Sequence, residues 1–283
     1  GRSMIWRKEN TKRWAAAAAL ALTLLLAAPA RAAAADDAVL GVIDVKLTAA
    51  GERSARSAES SLADVTADAL RRQLGTDIAI VNGGDLKADL PRSSVTREKL
   101  GRVFAQDRET ATASVTPAQL CAMLEAGMSH IVLAGDESID HAVSGKYGGF
   151  PQVSGFRYLY DASAPAGQRV MEMQLDDGTE LDPQDDETRL TLAATAYMLS
   201  GGYDYPAVSS AEPSGRTLAD ALADHVRQLQ TVGRPAMGRI RTAGTTEGAL
   251  MDYLPVGGIL VAVVLLGLFS DKKYKKIFSY KRM

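Results

Sequence analysis

The stretch IAIVNGGDLKADLP, residues 78–91, contains the first residues whose types and spacing suit ligand binding. An apolar run ends at Asn82, the pair Gly83 and Gly84 follows, and Lys87 comes three residues later. Glycines after a strand let the backbone turn tightly or approach a ligand, while Asn82 and Lys87 offer a hydrogen bond and a positive charge to an anion. The same pattern is also typical of a plain turn. The motif alone therefore leaves both interpretations open.

A second and weaker candidate is GDESIDH, residues 135–141, in which two aspartates and His141 have side chains that bind cations. Such polar stretches are more often solvated surface turns. The histidines His130, His141 and His225 lack the paired spacing of a zinc-binding helix, and the sequence has neither a Gly-x-Ser-x-Gly elbow nor a phosphate-binding loop ending in Gly-Lys-Ser/Thr. We therefore expect no catalytic residue, no metal site and no cofactor in this chain.

Both ends of the chain carry hydrophobic segments typical of export and membrane attachment. Basic residues after Met4 precede the apolar run 14–29, and Ala30-Arg31-Ala32 has the form of a signal-peptidase site. Residues 253–269 are uncharged and reach the lower length limit for a membrane-spanning helix, and a lysine-rich tail follows them. An uncleaved N-terminal anchor and a cell-wall sorting signal are the alternatives to this interpretation.

These features predict five segments. They are a signal peptide over 1–35, with its start at Met4 and cleavage near Ala32, a domain over 36–242, a linker over 243–252, a transmembrane helix over 253–270 and a basic cytoplasmic tail over 271–283. The protein would be a single-pass protein of a bacterial plasma membrane with its domain outside the cytoplasm. Between the two ends the net charge is about −12, which excludes nucleic acid as a partner because the phosphate backbone would be repelled.

Within the domain, hydrophobic patterns with the periods of strands and helices alternate without a regular repeat. Strands are predicted at 38–48, 78–81, 110–116, 155–161, 168–178, 188–199 and 237–242, and helices at 60–75, 96–105, 117–128 and 217–230. The stretches 155–161 and 168–178 are expected to form a hairpin. The fold class is therefore α+β, a single mixed-sheet domain of about 200 residues.

Seven stretches in this order resemble one known family. They are RSAESSLADVTADALR, DIAIVNGGDLKADLP, VTREKLGRVF, VTPAQLCAMLE, GFPQVSGFRYLYD, AYMLSGGYDYP and MGRI. Together they are similar to the C-terminal domain of the 5'-nucleotidase family of secreted or surface-attached nucleotide hydrolases, over residues 38–241. In that family the C-terminal domain supplies the nucleotide pocket, and an N-terminal metallophosphoesterase domain holds two metal ions. The motifs of that metal domain, Asp-x-His, Gly-Asp-x-x-Asp and Gly-Asn-His-Glu, are absent from this sequence.

The resemblance implies a phosphate-binding part of the site. Arg56 matches an arginine that the family uses on the substrate phosphate, and Asn82, before Gly83 and Gly84, matches a pocket asparagine. Lys87 stands where the family has arginine. It keeps the charge and loses the bidentate guanidinium that suits phosphate.

The resemblance also implies a base- and ribose-binding part, which is more altered. One of two aromatic residues that sandwich the base is replaced, because Ala105-Gln106 stands in place of Pro-Phe. The other corresponds to Tyr197. Tyr203 replaces the ribose-binding aspartate, and the acid moves one place on to Asp204. Losing one stacking partner and the ribose acid would weaken nucleotide binding by about two orders of magnitude.

Structural roles are the alternative for each residue that could bind a ligand. Arg56 could pair with Glu59 at a helix start, and Lys87 could pair with Asp89. Tyr197 could fill the core beside Met198 and Leu199.

The sequence predicts a membrane-anchored domain that is non-catalytic on its own and binds a nucleotide or another phosphorylated ligand. One alternative is the substrate-binding part of a split nucleotide or sugar-nucleotide hydrolase, whose partner would be a separate metallophosphoesterase subunit. A second alternative is a structural surface module that has lost its pocket.

Overall fold

The structure of the protein is a computed structural model that describes residues 38–50, 54–131 and 147–243. The strands within these residues are β1 Val39–Ile43, β2 Ile78–Asn82, β3 Ser93–Thr96, β4 Glu109–Val115, β5 Pro151–Ser154, β6 Phe156–Tyr160, β7 Val170–Leu175, β8 Leu190–Thr195, β9 Glu212–Thr217, β10 Thr231–Val232 and β11 Ile240–Thr242. The helices are α1 Ser61–Leu74, α2 Arg97–Gly101, α3 Pro117–Gly127, α4 Ala196–Leu199 and α5 Leu218–Leu229.

The strands belong to three sheets. The largest has the order β5-β2-β8-β4-β9, in which β2 and β8 are parallel and the other pairs are antiparallel. The two smaller sheets, β10-β1-β3 and β11-β6-β7, each combine one parallel and one antiparallel pair. The α+β class with mixed sheets is therefore confirmed, and the strands are divided among three sheets rather than gathered in one.

Strand β2 lies between β5 and β8 in the largest sheet, and all five of its residues are buried. Successive side chains of a strand point to opposite faces of its sheet. Ala79 and Val81 accordingly join a core with α1, α5 and β1, while Ile78 and Ile80 join a second core with α3 and the β6–β7 hairpin. Burial on both faces fixes the position of β2, and so of the turn that follows it.

Helix boundaries follow the signals in the sequence. Gly75 ends α1 in the left-handed conformation at φ 63°, which glycine adopts without steric cost. Thr116 begins α3 with a reciprocal capping box to Gln119, and Pro117 is its first residue. Thr217 begins α5 through the same kind of box with Asp220. The hairpin of β6 and β7 and the helix predicted at 217–230 are confirmed.

The stretch predicted as one strand over 188–199 is divided in the structure. Strand β8 ends at Thr195, whose hydroxyl accepts a hydrogen bond from the Met198 amide at 3.2 Å, and α4 follows. Tyr197 therefore lies on a short helix. The short strands β3, β5, β9 and β10 were not predicted, and the strand predicted over 38–48 ends at Ile43.

The expected signal peptide, transmembrane helix and basic tail lie outside the described residues, as does nearly all of the expected linker. The candidate cation loop at 135–141 also lies outside them. Among the residues that the structure describes, no helix is long and apolar enough to span a membrane.

A cluster of charged residues attaches the end of the domain to α1. Arg239 forms a bidentate ion pair with Asp68, at 2.7 and 2.9 Å, and Glu59 accepts hydrogen bonds from the Gly238 and Arg239 amides. Asp64 lies in the same cluster and is fully buried, and neither of its carboxylate oxygens has a hydrogen bond of normal geometry among the described residues. Burial, with the negative charge of Glu59 adding to it, raises the pKa of Asp64 to about 9.

We expect Asp64→Asn to stabilise the protein at neutral and alkaline pH. The Asp64 carboxyl is protonated in the fold up to about pH 9 and ionises near 3.8 when exposed. Its contribution to stability is therefore complete below about pH 4 and is lost as the pH rises toward 9. Thermal unfolding at pH 8 should give a Tm higher than that of the wild type by about 3 °C or more, the equivalent of roughly 1 kcal/mol.

The matched control is Asp186→Asn, which changes an exposed aspartate and should leave Tm unchanged. An Asp64→Asn variant whose Tm falls with pH as steeply as the wild type between pH 5 and 9 would contradict the buried, neutral carboxyl.

Candidate functional site

The turn after β2 is built on close backbone contacts. Residues Gly83–Asp85 form one turn of 3₁₀-helix, in which the Gly83 amide donates to the Phe150 carbonyl at 2.9 Å and the Gly84 amide donates to the Gly148 carbonyl at 2.8 Å. A Cβ atom on Gly83 would lie 1.7 Å from the Ala55 carbonyl oxygen, and one on Gly84 would lie 2.3 Å from the Gly148 Cα. Both glycines are therefore required by packing against neighbouring backbone.

The turn places Asp85 in the interior, where it is 1% exposed. The fully buried Asn82 donates from Nδ2 to Asp85 Oδ2 at 3.3 Å, and Arg108 donates from Nε to Asp85 Oδ1 at 2.9 Å. Burial raises the pKa of the Asp85 carboxyl, while the hydrogen bond and charge of Arg108 act in the opposite direction. Although its own burial lowers it, the pKa of the Arg108 guanidinium is raised overall by Asp85, so Arg108 remains charged.

The guanidinium of Arg108 lies on the face of an aromatic ring. Its central carbon is 3.7 Å from the centroid of Tyr197 and 5.8 Å from that of Tyr203. The two tyrosine rings meet edge to face at 5.3 Å with an interplanar angle of 90°. A cation over an aromatic face gains roughly 0.5–2 kcal/mol, depending on exposure. The stack and the Asp85 ion pair together fix the orientation of Arg108.

Tyr203 is held in a left-handed backbone conformation. Tyr203 and Asp204 are consecutive non-glycine residues with φ of 55° and 60°, a region that costs about 1–3 kcal/mol per residue. The Tyr147 hydroxyl donates to the Tyr203 carbonyl at 2.7 Å and so supports this conformation. Gly202 leaves room for the ring of Tyr197, because a Cβ there would lie 2.3 Å from that ring.

His130, Tyr147 and Asp204 lie at the exposed border of this arrangement. The rings of His130 and Tyr147 are 4.1 Å apart, and His130 Nε2 is 3.8 Å from Asp204 Oδ2. Tyr147 meets Tyr203 edge to face at 6.1 Å. The border therefore continues the aromatic surface away from Tyr197.

The structure brings most of the predicted site residues together. Arg56 is half-buried, and its Nη2 donates to the Gly84 carbonyl at 3.4 Å. Its positive charge also acts on Asp85 and Tyr203. Tyr197 is 40% exposed, so it does not fill the core.

The carboxylates that were the alternative partners of Arg56 and Lys87 have other partners among the described residues. Glu59 binds the backbone of Gly238 and Arg239, and Asp89 forms an ion pair with Lys46 at 2.8 Å. Lys87 is exposed, and its amide donates to the Val103 carbonyl. Asp204 is also exposed.

Four residues of the site were not predicted from the sequence as binding residues: Asp85, Arg108, His130 and Tyr147. Asp85 lies inside the NGGDLK motif, and its acidic side chain in a buried strand–turn segment was the signal that it needs a cationic partner. Arg108 comes two residues after Ala105-Gln106, the position at which an aromatic residue is missing.

Two of the recesses in the described part of the chain differ in their position relative to this cluster. One, of about 570 Å³, borders Tyr197 and is lined by small and apolar side chains such as Ala111, Val208 and Pro213. The other, of about 560 Å³, lies against β6, β7 and β11 and contains none of the predicted residues. None of the described residues that line the recess at Tyr197 is positively charged. In the candidate site the positive charge is supplied by Arg56 and Arg108, which lie outside that lining.

Within the described ranges no group of three or more histidine, cysteine or acidic side chains is arranged to hold a metal ion.

We expect Gly83→Ala to destabilise the protein strongly, because its Cβ has no room beside the Ala55 carbonyl. The loss should be about 3 kcal/mol or more, which corresponds to a fall in Tm of roughly 6 °C or more in thermal unfolding. Gly101→Ala is the matched control, since a Cβ at Gly101 meets nothing within 4 Å. Equal Tm values for the two variants would contradict the close backbone contact.

Comparisons with known proteins agree with the fold. The sequence model of the family described as "5'-nucleotidase, C-terminal domain" matches residues 39–210. The trifunctional nucleotide phosphoesterase protein YfkN of Bacillus subtilis is 26% identical over 212 residues, which cover 71% of this chain and 14% of that protein.

Two solved structures are similar to this one. The 5'-nucleotidase precursor from Thermus thermophilus is 27% identical, with a TM-score of 0.63 over 80% of this chain and 43% of that chain. The NAD nucleotidase of Haemophilus influenzae shares the fold at 17% identity, with a TM-score of 0.66 over 81% of this chain and 42% of that one. The chain thus spans less than half the length of these relatives. It belongs to the 5'-nucleotidase C-terminal domain family.

Proposed function

We propose that this domain is a non-catalytic binding module that takes a small phosphorylated ligand at the cluster of Arg56, Arg108, Tyr197 and Tyr203. The observation that carries the proposal is the left-handed pair Tyr203 and Asp204. Two consecutive non-glycine residues in that conformation persist only where the surroundings hold them, and such residues concentrate at ligand sites. Here they hold an aromatic ring and a carboxylate at the exposed border of the cluster.

Charge supports an anionic ligand. Arg108 forms an ion pair with the buried Asp85, and the positive charge of Arg56 acts on the same carboxylate. The Arg108 side chain is 17% exposed. Guanidinium groups suit phosphate because they present several donors in a fixed plane.

Membership of the family supports the same class of ligand. The relatives are named as nucleotide phosphoesterases and nucleotidases. We infer that the present domain keeps recognition of a phosphorylated compound and does not itself activate water. We further propose that it is anchored in the plasma membrane with this domain outside the cytoplasm, as the hydrophobic segments at both ends of the sequence predict.

A second candidate function follows from the length of the relatives, which are more than twice as long as the part matched here. In this alternative the domain completes a nucleotide or sugar-nucleotide hydrolase together with a separate metallophosphoesterase subunit. Hydrolysis of the bound compound on addition of such a subunit would favour it over the binding module.

The direct test is calorimetric and thermal-shift titration of the purified protein with inorganic phosphate, AMP and UDP-glucose. We expect saturable binding that is at least tenfold weaker in Arg56→Ala, since a hydrogen bond to a charged group is worth about 1.5–3 kcal/mol. Tyr197→Ala should also weaken binding, because it removes the surface on which Arg108 lies.

Arg102→Ala is the matched control for Arg56→Ala. Arg102 is an exposed arginine that pairs with Glu98 on α2, and its removal should leave binding unchanged. Absence of saturation by every compound up to millimolar concentration, in a folded protein, would overturn the proposal and favour a structural surface module.

A further inference from the structure

Arg108 is bound inside this domain in the way a flat ligand would be. The central carbon of its guanidinium lies over the ring of Tyr197, 3.7 Å from the centroid, which is van der Waals contact distance. Nε at one edge of the guanidinium donates to Asp85 Oδ1 at 2.9 Å. Although burial lowers the pKa of the guanidinium, Asp85, and after it the Tyr203 side chain, raise it overall. A planar group that is stacked on one face and hydrogen-bonded along its edge satisfies the usual requirements of base recognition.

The position of Arg108 prevents a second planar group from using the same face of Tyr197. A ring face accommodates one stacked partner at contact distance. The arginine side chain is 17% exposed, and its guanidinium carbon lies over this face of the ring. A nucleobase would therefore have to displace the guanidinium before it could stack there.

Displacement is opposed by the partner of Arg108. Asp85 is 1% exposed, and its other hydrogen bond comes from the buried Asn82 amide. Moving the guanidinium away would remove the ion-pair partner of a buried carboxylate, which is unfavourable even though the charge of Arg56 also acts on Asp85. The ion pair thus keeps Arg108 over Tyr197.

We propose that Arg108 determines specificity in this domain by occupying the stacking face of Tyr197 and excluding planar bases. The ligand class is then a phosphorylated compound whose binding gains nothing from a base, such as a sugar phosphate or inorganic phosphate. The ligand class rests on the proposed function, whereas the exclusion of bases does not.

The test compares the purified wild type with the double variant Asp85→Asn, Arg108→Gly, which removes the guanidinium and the charge that it neutralises. Adenosine, AMP and ribose 5-phosphate are titrated by calorimetry. In the wild type, AMP and ribose 5-phosphate should bind within about threefold of each other, and adenosine should not saturate. In the double variant, AMP should bind about 5- to 150-fold more tightly than ribose 5-phosphate, the equivalent of one base stack, and adenosine should bind saturably.

Two further variants complete the design. Arg108→Lys keeps a cation for Asp85, and so the fold, while it removes the plane that covers the ring, and it should show a smaller gain for adenosine. Adding Tyr197→Ala to the double variant should abolish the gain, because the stacking surface is then absent. Arg102→Ala should behave as the wild type.

The possible results separate the two proposals. Tenfold or greater preference of the wild type for AMP over ribose 5-phosphate would overturn the exclusion of bases and leave the binding function intact. No gain for adenosine in either folded Arg108 variant would also overturn it. If the Arg108 variants gain adenosine binding while the wild type binds no phosphorylated compound, the exclusion of bases would be supported and the proposed function would be contradicted.

Discussion

The close backbone contact at Gly83 and Gly84 determines the arrangement of the whole site. Because β2 is buried on both faces, its end cannot shift, and the next two residues pass directly against Ala55 and the Gly148 backbone. The chain therefore carries Asp85 into the interior. A carboxylate in that position needs a cation, and Arg108 supplies it. The stacking of Arg108 on Tyr197 and the packing of Tyr203 beside both follow from that requirement.

Two buried aspartates in this domain show how strongly surroundings decide the state of a carboxyl group. Asp85 has an arginine and an asparagine amide as partners, and these offset part of the cost of its burial. Asp64 lies beside Glu59, and Arg239, the nearest cation of its cluster, is engaged in a bidentate pair with Asp68. Burial and a neighbouring negative charge then favour the protonated form. One aspartate therefore positions a cation at the site, and the other acts as a neutral group within the core.

The sequence was sufficient for the parts of the structure that depend on local signals. The caps at Thr116 and Thr217, the glycine that ends α1 and the NGG turn each follow from the residues within a few positions. The site required contacts between residues far apart in the chain. Arg108 is 23 positions from Asp85 in the sequence and 89 positions from Tyr197. The periodicity of hydrophobic residues does not predict contacts between residues so far apart. Thr195 suits a strand as well as a helix cap, so the sequence did not reveal the change from strand to helix at this residue.

The same geometry separates the residues that maintain the fold from those that we propose select the ligand. The fold depends on β2, its two cores and the contacts of Gly83 and Gly84, none of which involves the ring face of Tyr197 beside Arg108. That face is free to vary, and here a side chain of the protein itself covers it. Since an arginine stacked on an aromatic ring is favourable in its own right, the covering stabilises the folded protein in the absence of ligand. In the proposed exclusion of bases, stability and base recognition therefore depend on the same ring face, and the Arg108–Asp85 pair favours stability.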